Sequence, residues 1–208
     1  MTLWTIATPD TVPCAEECLR RALHFGIFQD KSSVKTELVR VESKAEAHIA
    51  KIAHWGYLEE PAWFFDADCW MIRRARIPVP APGVLIGNPD NTPFHRYDKY
   101  QGFDKTHAIN TSLVGACAPS PPVRRMAEMA LDLQREDYGT EPTEDEKFLN
   151  VAAQRSDLMV ARLSARWNWC GEHPPASVIA IHAAGRSNKF EWLTRVSQQY
   201  DDATRMDE

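Results

Sequence analysis

Apolar residues in the first 70 positions predict three strands separated by two helices. The strands are predicted over 3–7, over 37–41 and in the aromatic run that begins at Trp63. The helices are predicted over 14–28 and 45–55, where apolar residues recur every three or four positions. This alternation is typical of an α/β fold, with a mostly parallel sheet that carries helices on both faces.

The second half of the chain extends this pattern with less regular elements. Thr143 can cap a helix, because Glu146 stands three residues later as a capping box requires. The predicted elements are a proline- and glycine-containing connection over 78–91, a strand with a polar centre over 108–116, helices over 122–135 and 143–154, a last strand over 178–182 and a polar tail over 193–208.

Two carboxylates, Asp66 and Asp68, follow the most strongly apolar of the predicted strands. Residues two apart on a strand point the same way, and open α/β sheets bind their ligands at the carboxyl ends of strands. Two converging carboxylates repel each other but bind a divalent cation well. Because this spacing is common by chance, the two acids indicate a metal site only in combination with other residues.

Composition narrows the class of protein. A net charge of −5, with 44% hydrophobic and 25% charged residues, is typical of a globular protein of one domain, and a polyanionic partner would need a local basic patch. No apolar run approaches the ~20 residues of a membrane span, and the first residues do not form a secretory signal. The five scattered cysteines favour reduced thiols, so we expect a cytoplasmic protein.

Six short motifs follow one another in an order that resembles one family of enzymes. In that order, the chain resembles the nucleotide-sugar glycosyltransferases of the Rossmann-like GT-A fold, most closely the retaining group that includes glycogenin and the bacterial lipopolysaccharide galactosyltransferases. Each motif alone is weak evidence for the family, and the order of the six motifs is the specific feature. The motifs are Ala7-Thr8-Pro9-Asp10, Asp66-Ala67-Asp68, Asn110-Thr111-Ser112, Asp145-Glu146-Lys147-Phe148-Leu149-Asn150, Arg166-Trp167-Asn168-Trp169, and His182-Ala183-Ala184-Gly185 with Lys189 and Trp192.

The resemblance covers roughly residues 3–192 and implies a single GT-A domain. It divides the chain into a nucleotide-binding half over 3–70, an acceptor loop region over 73–107, a sugar and acceptor half over 108–192, and the polar tail over 193–208.

The resemblance implies that Asp66, Asp68 and His182 bind Mn²⁺ or Mg²⁺, which would bridge the diphosphate of a nucleotide-sugar donor, with a UDP-sugar as the first choice. Hard oxygen ligands suit both ions, and one imidazole favours manganese. A histidine at the end of an apolar strand also has a plain alternative role, as a hydrogen-bonded structural residue.

The resemblance also implies donor contacts at several strand ends. Thr8 and Asp10 would lie beside the nucleobase, Gly185 would let the backbone approach the phosphates, and Lys189 would add a cation. The family pattern is His-x-x-Gly-x-x-Lys-Pro-Trp, whereas here Lys189 comes one residue late and the proline is absent. The complete expected donor set is Ala7, Thr8, Asp10, Ala67, Asn110, Thr111, Ser112, Gly185 and Lys189.

Asp145 and Glu146 would flank the donor sugar and supply the catalytic groups. Where the family carries glutamine after the acid, this chain has Glu146, a potential nucleophile or oxocarbenium stabiliser, and we therefore expect retention of anomeric configuration. Glu144 and Asp145 also resemble the acid pair of inverting GT-A enzymes, so inversion stays an alternative. All three acids have a plain alternative role as first-turn residues that favour the helix dipole.

The acceptor is expected to contact the segment 94–105, where aromatic residues alternate with cations, through Arg96, Tyr97 and Tyr100. Such side chains suit a stacked sugar or a base flipped out of a duplex. Small GT-A enzymes that modify hydroxymethylated bases in phage DNA share this compactness, so such DNA is one candidate acceptor, and a phage-encoded enzyme would act inside the host cell. A glycan, a lipid-linked sugar or a protein are the other candidates.

Two other functions share parts of this pattern. Haloacid dehalogenase-type phosphohydrolases also carry Asp-x-Asp after a strand, but their motif continues differently from Cys69-Trp70 and stands at the first strand. A binding module that kept the fold without turnover is the non-enzymatic alternative, although all three metal ligands are present.

Overall fold

The computed structural model of the protein describes residues 1–90, 97–139 and 141–205. Within these residues ten strands and five α-helices follow one another. The strands are β1 (Thr2–Ala7), β2 (Gly26–Ile27), β3 (Lys35–Arg40), β4 (Pro61–Phe65), β5 (Cys69–Met71), β6 (Ala75–Arg76), β7 (Val84–Pro89), β8 (Ile109–Cys117), β9 (Met159–Arg162) and β10 (Ala180–His182). The helices are α1 (Val12–Phe25), α2 (Lys44–Tyr57), α3 (Pro121–Tyr138), α4 (Glu146–Arg155) and α5 (Lys189–Arg205).

Six strands form the central sheet, in the order β3-β1-β4-β8-β7-β9. Strand β1 pairs in parallel with β3 and β4, β7 pairs in parallel with β9, and β8 runs antiparallel to both β4 and β7. Two small sheets join β10 to β5 and β2 to β6. The predicted α/β fold with a mixed, mostly parallel sheet is confirmed.

Alternation along β1 and β4 divides the core into two layers. Leu3, Trp63 and Phe65 point to one face, where they pack in a cluster with residues of α1 and α5. Trp4 and Phe64 point to the other face, where α2, α3 and α4 complete a second cluster. Because helices cover both faces, these strands are apolar at nearly every position.

The predicted connection over 78–91 contains strand β7, which lies inside the sheet between β8 and β9. The prolines at 78, 80 and 82 precede this strand, and Pro89 is its last residue, so none removes a donor from its middle. Leu85 of β7 is buried in the core. The prediction was therefore wrong over β7, because the surrounding prolines masked a short apolar strand.

The chain end, expected only as a polar tail over 193–208, is helical as far as Arg205. Leu193 and Val196 are fully buried in the layer that contains α1. Together with the buried Trp192, these residues dock the helix, although most of its other residues are polar.

The predicted capping box at Thr143 and Glu146 is wrong. Helix α4 begins at Glu146, and Asp145 stands at its N-cap position without a side-chain capping hydrogen bond. The carboxylate of Glu146 instead accepts the backbone N–H of Thr111 on β8, at 2.8 Å. A long-range partner therefore replaces the local one that the spacing suggested.

None of the helices in the described residues combines the length and apolar character needed to cross a membrane. All five cysteines are free thiols; only Cys170 is exposed.

Gly115 provides a test of the packing between β8 and β4. A Cβ at this position would lie 2.6 Å from the indole ring of Trp63, closer than such atoms approach. We expect Gly115→Ala to destabilise the fold by about 1–3 kcal/mol, because an added methyl must displace the ring or the strand. Urea unfolding followed by tryptophan fluorescence measures this change.

Gly56→Ala is the matched control, since a Cβ there meets Ala127 at an ordinary 3.8 Å. Gly56 lies within α2, so this variant should be neutral or more stable by about 0.4–1 kcal/mol. Equal destabilisation in both variants would contradict the close approach of Trp63 to Gly115.

Candidate active site

A cleft of about 960 Å³ opens where β1 and β4 end. The loop after β1, the first turns of α2, the residues after β4 and the segment between β10 and α5 line it, together with residues 144–146. Open α/β sheets bind ligands at this edge, and the volume suits a ligand of nucleotide size.

Three potential metal ligands meet in this cleft. Asp66 and Asp68 follow β4, and His182 is the last residue of β10. Each offers one ligand atom, and these atoms all lie within 4.8 Å of one another. The Nε2 atom of His182 is 3.3 Å from a carboxylate oxygen of Asp68. The sequence prediction that these three residues converge is therefore correct in geometry.

A tight turn, rather than strand alternation, brings the two acids together. Strand β4 ends at Phe65, and the N–H of Cys69 donates to the carbonyl of Asp66 at 2.8 Å. The chain then re-enters as β5, where Cys69 pairs with His182. The N–H of Ala183 donates to the carbonyl of Asp68 at 3.0 Å. The same turn and pairing therefore set the spacing of the three ligands.

The positive charges of His182 and Lys189 compensate the negative charge of Asp68. Burial raises the pKa of this acid, but the hydrogen bond and positive charge of His182, together with Lys189, hold it well below its usual range. The ammonium of Lys189 lies 2.5 Å from Asp68. Burial alone would lower the pKa of His182, whereas the hydrogen bond to Asp68 raises it to about 10. A divalent cation would take the place of this proton.

Two carboxylates and one imidazole form a donor set that fits Mn²⁺ or Mg²⁺. The set has few protein ligands, which leaves coordination positions for a substrate. The residues of this chain therefore fit the metal that the sequence resemblance implied.

Lys51 of α2 lines the cleft among the acids, a position that sequence reasoning missed. Its side chain is 7% exposed, and its ammonium lies 3.1 Å from Asp66 and 3.2 Å from Asp145. Burial would lower the pKa of Lys51, but the charges of Asp145 and Asp66 raise it, so the side chain stays protonated. Its position four residues before the buried Trp55 was the available signal, because such spacing places both on one helix face.

Asp145 is held from three directions. His48 contacts it at 2.8 Å, Lys51 at 3.2 Å, and the hydroxyl of Thr111 donates to it at 3.1 Å. Burial would raise the pKa of Asp145, but the charge of Lys51 and the hydrogen bond from His48 lower it to about 2. Glu146, which accepts the N–H of Thr111, also lines the cleft. The structure thus places both predicted catalytic acids at the cleft beside one strand residue.

The expected nucleobase loop also lines the cleft. The hydroxyl of Thr8 donates to Asp10 at 2.5 Å, and the N–H of Thr8 donates to the hydroxyl of Thr11 at 2.9 Å. These bonds give the loop a defined shape at the end of β1, where Ala7 is buried. Ala67 contributes to the lining from the turn after β4.

Of the other predicted donor residues, Lys189 lines the cleft, whereas Asn110, Ser112 and Gly185 are not among its lining residues. Asn110 and Ser112 hydrogen-bond to each other behind the metal cluster. Gly185 has a φ of +71°, which glycine adopts without strain, and forms the turn after β10. Lys189, at the start of α5, reaches the cleft.

The predicted acceptor tyrosines lie in the protein interior. Tyr97 is 1% exposed, donates to Asp90 at 3.0 Å and stacks on Phe103. Tyr100 is also buried and donates to Asp137 at 3.1 Å. The structure does not bring these two rings to the cleft, and Arg96 lies outside the described residues.

Comparison with known proteins gives a match in structure alone. No protein-family model matches the chain. No curated protein matches it in sequence. Among solved structures, it is similar to a glycosyltransferase involved in the glycosylation of the major capsid of PBCV-1, with a TM-score of 0.63, 12% identity, and coverage of 95% of this chain and 98% of that one. The fold of this chain is similar to that of this glycosyltransferase. At this identity the likeness describes the fold, and the chemistry rests on the residues of the cleft.

The buried position of Lys51 gives a stability test. We expect Lys51→Met to destabilise the protein by about 3–5 kcal/mol, because it leaves Asp66 and Asp145 close together without their shared cation. Urea unfolding measures the loss, and Lys44→Met, at an exposed position on the same helix, is the control. Equal stability of the two variants would show that Lys51 does not hold the acids in place.

Proposed function

We propose that this protein is a metal-dependent glycosyltransferase that moves a sugar from a nucleoside diphosphate donor, first of all a UDP-sugar, to an acceptor hydroxyl. The observation that carries the proposal is the convergence of Asp66, Asp68 and His182 in the large cleft of a glycosyltransferase fold. Neither the fold nor the cluster would suffice alone.

Asp66, Asp68 and His182 would hold Mn²⁺ or Mg²⁺. When bound, such an ion stabilises the negative charge that develops on the departing nucleoside diphosphate. Lys189 contributes a second positive charge at the same end of the cleft, since its ammonium already contacts Asp68. The ammonium of Lys189 would therefore be available to the anionic leaving group.

The donor would lie across the cleft from the β1 loop to the acids before α4. Thr8 and Asp10 would contact the nucleobase, Ala7 and Ala67 would border the ribose and diphosphate, and Gly185 would leave room for the phosphates. Thr111 would orient the sugar indirectly, because it binds both Asp145 and Glu146.

The two acids before α4 would divide their roles at the sugar. Asp145 is fully engaged by a lysine, a histidine and a threonine, which suits a residue that orients donor hydroxyls. Glu146 is adjacent and lines the same cleft, so we assign it the stabilising role beneath the anomeric carbon. This assignment predicts transfer with retention of configuration.

The charge of the described cleft lining favours a neutral acceptor. Eight carboxylates line the cleft, against three lysines, and two of these lysines, Lys51 and Lys189, already pair with acids. A DNA duplex would meet repulsion there, because its phosphates are best bound by clustered cations. We therefore propose a sugar or protein hydroxyl as acceptor and keep hydroxymethylated DNA as the second candidate.

Two other functions fit the structure less well. A haloacid dehalogenase-type phosphohydrolase shares the paired acids, but the full-length likeness is to a glycosyltransferase. A non-catalytic binding module would not need the ion pairs that keep Asp145 charged beside Glu146.

Metal dependence is the first test. EDTA should abolish both sugar transfer and donor hydrolysis, and Mn²⁺ should restore them. Asp68→Asn should lower kcat about 100- to 1,000-fold, the range seen when one key electrostatic group is removed. Asp132→Asn, at an exposed position on α3, should have the activity of the wild type. Full activity in chelator would overturn the metal site.

Product stereochemistry is the second test. NMR of the anomeric proton in donor and product should show the same configuration. Glu146→Gln should lower kcat about 100-fold or more while nucleotide affinity stays within a few-fold of the wild type. Glu144→Gln, one residue before the Asp145–Glu146 pair, serves as the matched variant. An inverted product, or a larger loss in Glu144→Gln, would transfer the catalytic role to Glu144 or Asp145.

A further inference from the structure

A chain of side-chain hydrogen bonds runs from strand β8 to the far side of His182. The N–H and the hydroxyl of Ser112 both donate to the Asn110 side-chain oxygen, at 3.1 and 2.5 Å. The side-chain NH₂ of Asn168 donates to the same oxygen at 3.1 Å. The Oδ1 atom of Asn168 lies 2.9 Å from Nδ1 of His182. No role has so far been given to Asn168, although it belongs to the motif Arg166-Trp167-Asn168-Trp169.

One backbone group fixes which atom donates and which accepts in this chain of hydrogen bonds, called the relay below. The N–H of Ser112 can only donate, so the Asn110 atom that faces it must be the oxygen. The Asn168 atom that faces this oxygen must then be the NH₂, which leaves the Asn168 oxygen towards His182. An acceptor at this position requires a hydrogen on Nδ1 of His182.

The backbone around Asn168 holds the relay against the metal cluster. The N–H of Trp169 donates to Ala180 at 3.1 Å, and the N–H of His182 donates to Trp169 at 2.8 Å. These backbone hydrogen bonds hold position 168 next to β10, and they do not depend on the side chain at that position. The thiol of Cys170 also interacts with the His182 ring, but a thiol both donates and accepts and so selects no tautomer.

We infer that Asn168 is a positioning residue that keeps the hydrogen of His182 on Nδ1 and thereby leaves the Nε2 lone pair for the metal that Asp66 and Asp68 would also bind. The Nε2 atom already faces Asp68 at 3.3 Å. Partners of this kind orient a ligating imidazole and raise its basicity, and their loss typically lowers metal affinity about 10- to 100-fold. This inference rests on the proposed metal-dependent function.

Metal affinity tests the inference without any measurement of transfer. Isothermal titration calorimetry of the full-length protein with Mn²⁺ should show about 10- to 100-fold weaker binding in Asn168→Leu than in the wild type. Asn168→Asp should bind within a few-fold of the wild type, because its carboxylate still accepts from Nδ1. Ser112→Ala should also bind as the wild type does, because the backbone N–H that sets the direction remains.

The tautomer gives a second readout that a merely structural role would not affect. Protein labelled with ¹⁵N-histidine and loaded with diamagnetic Cd²⁺ should show, in two-bond ¹H–¹⁵N spectra, a protonated Nδ1 and a metal-bound Nε2 for His182. The His182→Gln spectrum identifies these signals by their loss, and Cys170→Ala should leave them unchanged. In Asn168→Leu, the His182 signals should no longer show this one pattern of protonated Nδ1 and metal-bound Nε2.

The outcomes separate this inference from the proposed function. Binding in the wild type with unchanged affinity in Asn168→Leu, or cadmium on Nδ1, overturns the role of Asn168 and leaves the metal site intact. A wild-type protein that binds neither Mn²⁺ nor Cd²⁺ overturns both. Loss of affinity in Asn168→Asp as severe as in Asn168→Leu would also reject the acceptor role.

Discussion

Repulsion between carboxylates is the constraint on which this structure depends. Asp66, Asp68 and Asp145 converge at one edge of the sheet, where burial would drive each of them to lose its charge. They can lie this close together because Lys51 from α2 and Lys189 from α5 lie among them. These two helices belong to opposite core layers. Neutralising the acids therefore requires both layers to be packed, and the site and the fold form together.

The cations differ in how permanently they are held. Lys51 is nearly inaccessible, lies over the ring of Phe64 at 4.6 Å and has two carboxylate partners, so it is part of the fixed framework. Lys189 is 40% exposed at its side chain and, among the described residues, pairs with the carboxylate of Asp68. An arriving divalent cation would compete with Lys189 for Asp68, and a diphosphate would compete with Asp68 for Lys189, whereas Lys51 would keep Asp145 as a partner. The cleft combines a rigid side, near the proposed sugar position, with an exchangeable side near the leaving group.

The sequence predicts those features that local pattern determines. The apolar run before Asp66 marks a strand buried on both faces, and motif order leads to His182 across more than a hundred residues. Lys51 escapes such reasoning, because only the folded chain shows that two acids flank it. Tyr97 shows the converse difficulty. Aromatic residues among cations indicate a ligand-binding surface, yet the hydroxyl of Tyr97 hydrogen-bonds to Asp90 and Asn150 inside the protein. The local sequence pattern cannot distinguish an aromatic side chain that binds a ligand from one that contacts, inside the protein, a residue distant in sequence.

An interruption in the sheet explains how strand β8 serves both halves of the site. In the β7–β8 ladder Gly87 pairs with Val114 and Asn88 with Asn110, so residues 111–113 have no partner on β7. The N–H of Thr111 is therefore available to Glu146. The backbone of Ser112 faces the end of β4, where its carbonyl accepts the N–H of Asp66, and its N–H donates to Asn110. Because side chains alternate along a strand, Thr111 faces the acids before α4 while its two neighbours face Asn168 and His182. Irregularities of this kind commonly lie beside active sites, where they redirect side chains. A regular ladder here would satisfy the N–H of Thr111 within the sheet and leave the carboxylate of Glu146 without this partner.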